Sequence, residues 1–212
     1  VWDGGRVIAE RAERESRSHT VSLPRLVERT LADAQLRIDD VEGLAVSIGP
    51  GSFTGLRIGL AFVKGLAYAG RVPIAAVPTL EALAWVADAP AGARICAALD
   101  ARKQEVYAAL FASTPDGPER LTPDLALAPA ALAARLEAPC VLVGDAGEVY
   151  GEVLGARAAL RPFATHHPRG GIVARLGAAR LARGEAADTG ALEPTYVRAP
   201  EAELAALRPR VN

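Results

Sequence analysis

Residues 49–55, Gly-Pro-Gly-Ser-Phe-Thr-Gly, are the first place where residue types and spacing can do chemistry. A glycine-rich turn that opens a helix can aim backbone N–H groups and a helix N-terminus at a phosphate. Gly49, Pro50 and Gly51 would form the turn. Ser52 or Thr54 would cap the helix by accepting a bond from an unpaired first-turn N–H, just before Gly55. The Gly-Lys-Ser/Thr of a P-loop is absent, and the pattern is not GxGxxG in the dinucleotide-binding sense. The plainer alternative is geometrical: the glycines let the turn form and let the helix lie close to a sheet. On the residues alone the geometrical reading is preferred.

Other reactive residue types are scattered. Asp100, Arg102, Lys103 and Glu105 crowd one polar stretch, as at the solvated tip of a hairpin. Asp100 and Asp145 each end an apolar run, where carboxylates of α/β folds can act. His19, His166 and His167 have no metal-like spacing to one another or to Cys, Asp or Glu. Cys96 and Cys140 sit inside apolar runs and read as reduced core thiols, with no Cys-x-x-Cys pair.

The elements that must position these residues follow from periodicity. Residues 44–48 form a short continuous apolar run, the mark of a strand covered on both faces. The helix after the turn, over 54–69, is apolar nearly all round. At about 100° per residue, Arg57, Ala61, Lys64 and Tyr68 share one stripe, and Gly59 lies with Gly55 nearly opposite it. That mixed stripe is either a solvated face or a helix-packing interface, for which Arg and Tyr are favoured.

Upstream, 1–10 reads as a hairpin turning at Asp3-Gly4-Gly5. Residues 18–35 read as a helix with Leu23, Val27 and Leu31 on one face; Pro24 fits best in its first turn after a Ser22 cap, and a helix begun earlier, near Ser18, would kink there. Downstream come a strand over 72–77, which Pro73 either places at an edge or starts at Ile74, a helix over 80–87 capped by Thr79, and a hairpin over 94–111. A turn at 114–118, a helix over 126–136, a strand over 141–143, a helix over 172–183 stopped by Gly184, and an extended tail complete the pass. The loop at 90–93 divides the chain into two αβ subdomains, 1–90 and 91–212.

The chain has 212 residues, half of them hydrophobic, enough for a sizeable core. With 24 basic and 25 acidic residues the net charge is −1, so no basic excess exists to grip a nucleic-acid backbone. The longest apolar stretch is interrupted by Lys64 and too short to span a bilayer, and no secretory signal is visible.

Gly-Pro-Gly-Ser-Phe-Thr-Gly-Leu-Arg-Ile-Gly-Leu-Ala-Phe-Val-Lys at 49–64 resembles the TsaB (YeaZ) family. The likeness continues through 72–84, through Leu-Asp-Ala-Arg-Lys-Gln-Glu-Val-Tyr at 99–107, and in Glu-Pro-Thr-Tyr-Val-Arg at 193–198. It covers almost the whole chain. Gly49, Pro50, Gly51, Ser52, Thr54, Gly55, Arg57, Gly59, Lys64, Asp100, Arg102, Glu105 and Tyr107 carry the two motifs.

The resemblance implies an actin-like, Hsp70-like ATPase (ASKHA) fold of two αβ subdomains with mixed five-stranded sheets. It implies a cytoplasmic role in placing the threonylcarbamoyl group on N6 of adenosine 37 of tRNAs that read codons starting with A. It further implies a non-catalytic subunit that pairs with the paralogous catalytic subunit TsaD and the ATPase TsaE, meeting tRNA only through that complex. The paralogue's His-x-x-x-His metal pair aligns here with Thr79 and Leu83, which together with Glu81 cannot replace two imidazoles. Its glycine-rich phosphate turn aligns with residues 100–104, which contain no glycine. No cofactor or metal is therefore expected.

The partner surface is expected on the helices over 18–35 and 54–69, through Leu23, Val27, Arg57, Ala61, Lys64 and Tyr68, with a homodimer forming when TsaD is absent. Family chains begin with an apolar central strand that precedes the point matching Val1; its absence would leave unpaired backbone. The rival readings are a nucleotide-binding ATPase or kinase-like enzyme of the same fold, a metalloprotease, and an unrelated homodimeric structural protein.

Overall fold

The structure is a computed structural model and describes residues 1–13 and 19–197. Asp3, Gly4 and Gly5 fold the first residues into the expected hairpin, β1 (Trp2–Asp3) antiparallel to β2 (Arg6–Val7). After α1 (His19–Asp33), β3 (Leu44–Ser47) leads through the glycine turn into α2 (Phe53–Gly70). β4 (Ile74–Val77) then returns parallel to β3, with Leu44 opposite Ile74 and Ser47 opposite Val77. Among the described residues β3 pairs with β4 and with no other strand.

α3 (Thr79–Ala84) leads to the larger sheet, whose centre is a long hairpin of β5 (Arg94–Arg102) and β6 (Glu105–Thr114). β7 (Gly117–Arg120) and β8 (Leu125–Leu127) both add to β6. β9 (Cys140–Val143) runs parallel to β5, and β10 (Ala159–Leu160) parallel to β9. The sheet is mixed as expected, with six strands among the described residues in place of five, because β7 and β8 share one partner.

Alternation along β5 puts Ile95 and Ala97 on the α3 face with Leu80, Leu83 and Phe111. Cys96 and Ala98 face the other side with Leu132, Leu142 and Leu154, on α4 (Pro129–Ala133), β9 and α6 (Gly151–Leu154), which follows α5 (Ala146–Val149). Both cysteines are buried and unpaired, and burial pushes the Cys140 thiol up to about 11.

α7 (Gly170–Ala182) crosses back over β3 and β4 and reaches the first hairpin. A Cβ on Gly177 would lie 2.3 Å from Ala45, and one on Gly171 2.7 Å from Val7, so both glycines permit close helix–sheet approach. The N-terminal layer is thus completed by residues beyond position 91. No described helix is long and apolar enough to cross a membrane.

Three local expectations are corrected. α1 begins before Pro24, which lies inside it, so Ser22 is not its cap; Ser18 lies outside the described residues. Thr79 is the first residue of α3, and its hydroxyl bonds Ser47 instead of capping. The helix over 126–136 shrinks to α4, because Pro129 fits a first helical turn but drives the residue before it to extended backbone, and 125–127 joins the sheet as β8.

Candidate functional site

Gly49 leaves β3 at φ +118°, a conformation that glycine tolerates and side chains resist. Its carbonyl accepts the Thr79 N–H at 2.7 Å, and the Thr195 N–H donates to the Ile48 carbonyl at 2.7 Å. A Cβ on Gly49 would lie 2.6 Å from the Thr195 carbonyl oxygen. The turn is therefore held from both sides, and what faces Gly49 is an acceptor. Gly51 is different: the first atom its Cβ would meet is in Leu56, at 3.8 Å. Pro50 is fully buried. Ser52 is the cap, accepting the Gly55 N–H at 3.3 Å, while Thr54 is exposed.

Gly55 does not bring α2 close to a sheet, contrary to the sequence reading of the turn, and among the described residues Gly59 does not either. A Cβ on Gly55 would touch Ser52 alone, and one on Gly59 nothing within 4 Å.

α2 is 18 residues long and largely apolar, yet Leu60 and Ala67 are its buried residues. Ile58, Phe62, Val63 and Leu66 stay half-buried. On the mixed stripe, Ala61 is exposed and Tyr68 is 88% exposed. Arg57 and Lys64, in contrast, are partly engaged by the chain's own C-terminal segment. The Arg57 guanidinium lies 4.3 Å from the Phe53 ring centroid, and its Nε donates to the Tyr196 hydroxyl at 3.0 Å. Phe53 stacks on Tyr196 with centroids 5.4 Å apart, and Lys64 Nζ donates to the Gly190 carbonyl at 3.3 Å. Leu23 and Val27 are half-buried on α1, which packs against α2. The sequence reading quoted Tyr196 but gave it no role; an aromatic hydroxyl in an extended tail was the available signal. Arg198, the last residue of that motif, lies outside the described residues.

The second motif forms the β5–β6 tip. Arg102, Lys103 and Gln104 all take positive φ, at 63°, 53° and 61°, so side-chain-bearing residues make a turn that glycine would make freely. Asp100 Oδ1 accepts the Arg102 N–H at 2.9 Å and the Tyr150 hydroxyl at 3.1 Å. Asp145 Oδ1 accepts the Asp100 N–H at 2.8 Å. The structure thus brings together the two strand-end carboxylates and adds Tyr150, which sequence reasoning missed. Burial pushes the Asp145 carboxyl above the usual range, although the Asp100 N–H opposes this. Glu105 stands opposite Arg102 across the hairpin and Tyr107 opposite Leu99.

Thr79 and Leu83 have structural partners. The Thr79 hydroxyl lies 2.6 Å from that of Ser47, and Leu83 is wholly buried on the sheet-facing side of α3. Among the described residues no group of three or more His, Cys, Asp or Glu side chains is arranged to hold a metal ion.

Residues 6–147 match the TsaD family, tRNA N6-adenosine threonylcarbamoyltransferase. A Bacillus subtilis (strain 168) protein named tRNA threonylcarbamoyladenosine biosynthesis protein TsaB is 33% identical over 204 residues, covering 93% of this chain and 87% of that one. A crystal structure from Pseudomonas aeruginosa, described as an uncharacterized protein with similarity to peptidase YEAZ, superposes with a TM-score of 0.75. It has 31% identity and covers 86% of this chain and 85% of its own. A second structure, described as YeaZ from Pseudomonas aeruginosa, gives a TM-score of 0.73 at 28% identity, covering 87% and 86%.

Proposed function

The chain belongs to the TsaB (YeaZ) family of tRNA threonylcarbamoyladenosine biosynthesis proteins, with the TsaD-type fold, and from that premise we propose that it is a non-catalytic partner subunit. It docks through α1 and α2 on the corresponding helices of a TsaD-like catalytic subunit, or on a second copy of itself, so the two assemblies compete for one surface. A TsaE-like ATPase joins the resulting complex, and tRNA is met through that complex in the cytoplasm.

The observation that carries this reading is α2, an 18-residue, mostly apolar helix that buries Leu60 and Ala67 alone. Apolar surface left on a folded chain at this scale marks an interaction site. The absence of catalysis is supported by Thr79 and Leu83. One is tied to Ser47 and the other fills the core, so neither position offers a ligand to a metal or substrate.

The test is the double variant Ala61→Trp, Lys64→Glu. Ala61 is exposed, so the indole adds bulk outside the fold. Light scattering should show the dimer mass falling to that of the monomer, and co-purification with a TsaD-like subunit should be lost, while the chain still melts in one cooperative transition. Unchanged mass and retained co-purification would overturn the assignment of this face.

A further inference from the structure

α7 carries Arg175 and Arg180, about 140° apart around its axis, and Arg183 follows as its C-cap. They line a half-open cavity of about 290 Å³ together with Glu81, Trp85 and Pro118, where α3, β7 and α7 converge. The Trp85 ring lies so close to Gly117 that a Cβ there would be 2.1 Å from it, and Gly117 has φ +123°. The Arg175 guanidinium covers the ring 4.3 Å from its centroid. The indole is thus fixed between a glycine and an arginine.

The donors in this cavity are incompletely used. Among the described residues Arg175 has no carboxylate partner, and its guanidinium rests on the indole. Arg180 reaches both oxygens of Glu81 with Nη2 alone, at 3.0 and 2.8 Å, which leaves its Nε and Nη1 outside that pair. Arg183 is paired with Glu185 through Nε and Nη2. Of the three guanidiniums, Arg175 is the one without a carboxylate partner among the described residues.

We propose that this cavity binds a phosphate group. Guanidinium forks match phosphate oxygens with paired, charge-assisted hydrogen bonds. The volume is at the small end for ligand sites, which suits a phosphate with a sugar and little more. With the Arg175 guanidinium over the Trp85 ring, that face is closed to a base while Arg175 keeps its place. Recognition therefore falls on the phosphate, which can come from a free nucleotide or from an RNA backbone. The partner-subunit reading assigns this chain no ligand, so the site stands independently of it.

The test is calorimetric titration of the full chain at low salt with inorganic phosphate, a nucleoside monophosphate and a single-stranded oligoribonucleotide. Arg175→Gln should weaken binding about tenfold or more, as loss of charge-assisted bonds does. Glu81→Gln should tighten it several-fold by removing the one carboxylate in the cavity. Arg157→Gln, at an exposed position away from the cavity, should change nothing. The opposite sign at Glu81 separates ligand binding from structural damage, which weakens binding in both variants. A tighter monophosphate identifies a free phosphate ester; a tighter, steeply salt-dependent oligonucleotide identifies an RNA backbone. Absence of saturable binding by all three ligands at millimolar concentration, equal loss in Arg157→Gln, or weakening in Glu81→Gln would overturn the proposal.

Discussion

Replacing Gly49 by alanine separates a turn kept for its shape from a phosphate cradle. In the shape reading Gly49→Ala meets two obstacles. At φ +118° an L-residue is strained by about 1–3 kcal/mol. Its Cβ also falls 2.6 Å from the Thr195 carbonyl oxygen, so the C-terminal segment must move and its bond to Ile48 stretches. Losing that hydrogen bond adds about 1 kcal/mol. The total, about 3 kcal/mol, lowers Tm by roughly 6–12 °C for a chain of this size. Gly51→Ala is the internal control: it lies two residues away, has no positive φ, and finds its first neighbour at 3.8 Å. It should shift stability by no more than about 0.5 kcal/mol. Urea denaturation of both variants, with the midpoint and slope fitted separately, reads the difference. Equal stability of the two variants would refute the reasoning, as would a nucleotide affinity that falls with both while stability stays put.

Rebuilding the paralogue's metal pair should fail here. Thr79→His with Leu83→His puts an imidazole at a wholly buried core position and breaks the Ser47 bond, costing about 3–5 kcal/mol; Zn²⁺ should not raise the melting temperature, and a clear rise would show that both positions face a common site. Glu10 gives a pH prediction: burial pushes its carboxyl up, but the Gly171 N–H at 2.6 Å and the Arg169 guanidinium hold it, on balance, below the ordinary value. A carboxylate depressed in the fold stabilises fully above its unfolded pKa of about 4.3 and loses that contribution as pH falls through the folded value. Glu10→Gln should therefore be less stable than the parent at pH 7, with the gap closing below about pH 4 in denaturant titrations.

What the sequence made legible was local. The Asp3-Gly4-Gly5 hairpin, the run into α2, the β5–β6 hairpin and the stop at Gly184 each depend on neighbours in the chain, so periodicity and turn chemistry sufficed. Where propensity misled, a particular residue explains it. The alanine-rich stretch after 125 has no helical period to protect it from Pro129 and from the open edge of β6, so part of it became strand. The site features that escaped were assembled at long range. Asp145 meets Asp100 because β9 lies parallel to β5 with Val143 opposite Ala97, so the chain leaving β9 runs on beside the last residues of β5. The arginine cavity draws on α3, β7 and α7, and no pattern within any one of them announces it.

The C-terminal segment changes what the partner helix can mean. Thr195 bonds the end of β3, and one residue on Tyr196 stacks against Phe53 and accepts from Arg57 in the first turns of α2. Gly190 receives Lys64 about two turns further along. The segment therefore fixes the turn and borrows the basic half of the mixed stripe in a single run. Among the described residues, what remains open on α2 includes Ala61 and Tyr68 with the glycines at 59 and 65, whose Cβ positions meet nothing within 4 Å. A helix that approaches α2 without displacing the segment meets small residues flanked by one tyrosine, a surface that admits close backbone approach. One that displaces it must break the Arg57 and Lys64 bonds and loosen the Thr195 anchor of the turn. The first route leaves the stability of the turn untouched and the second couples it to docking. The melting temperature of Tyr196→Phe, with and without a bound partner, therefore distinguishes the two routes of assembly on the same face.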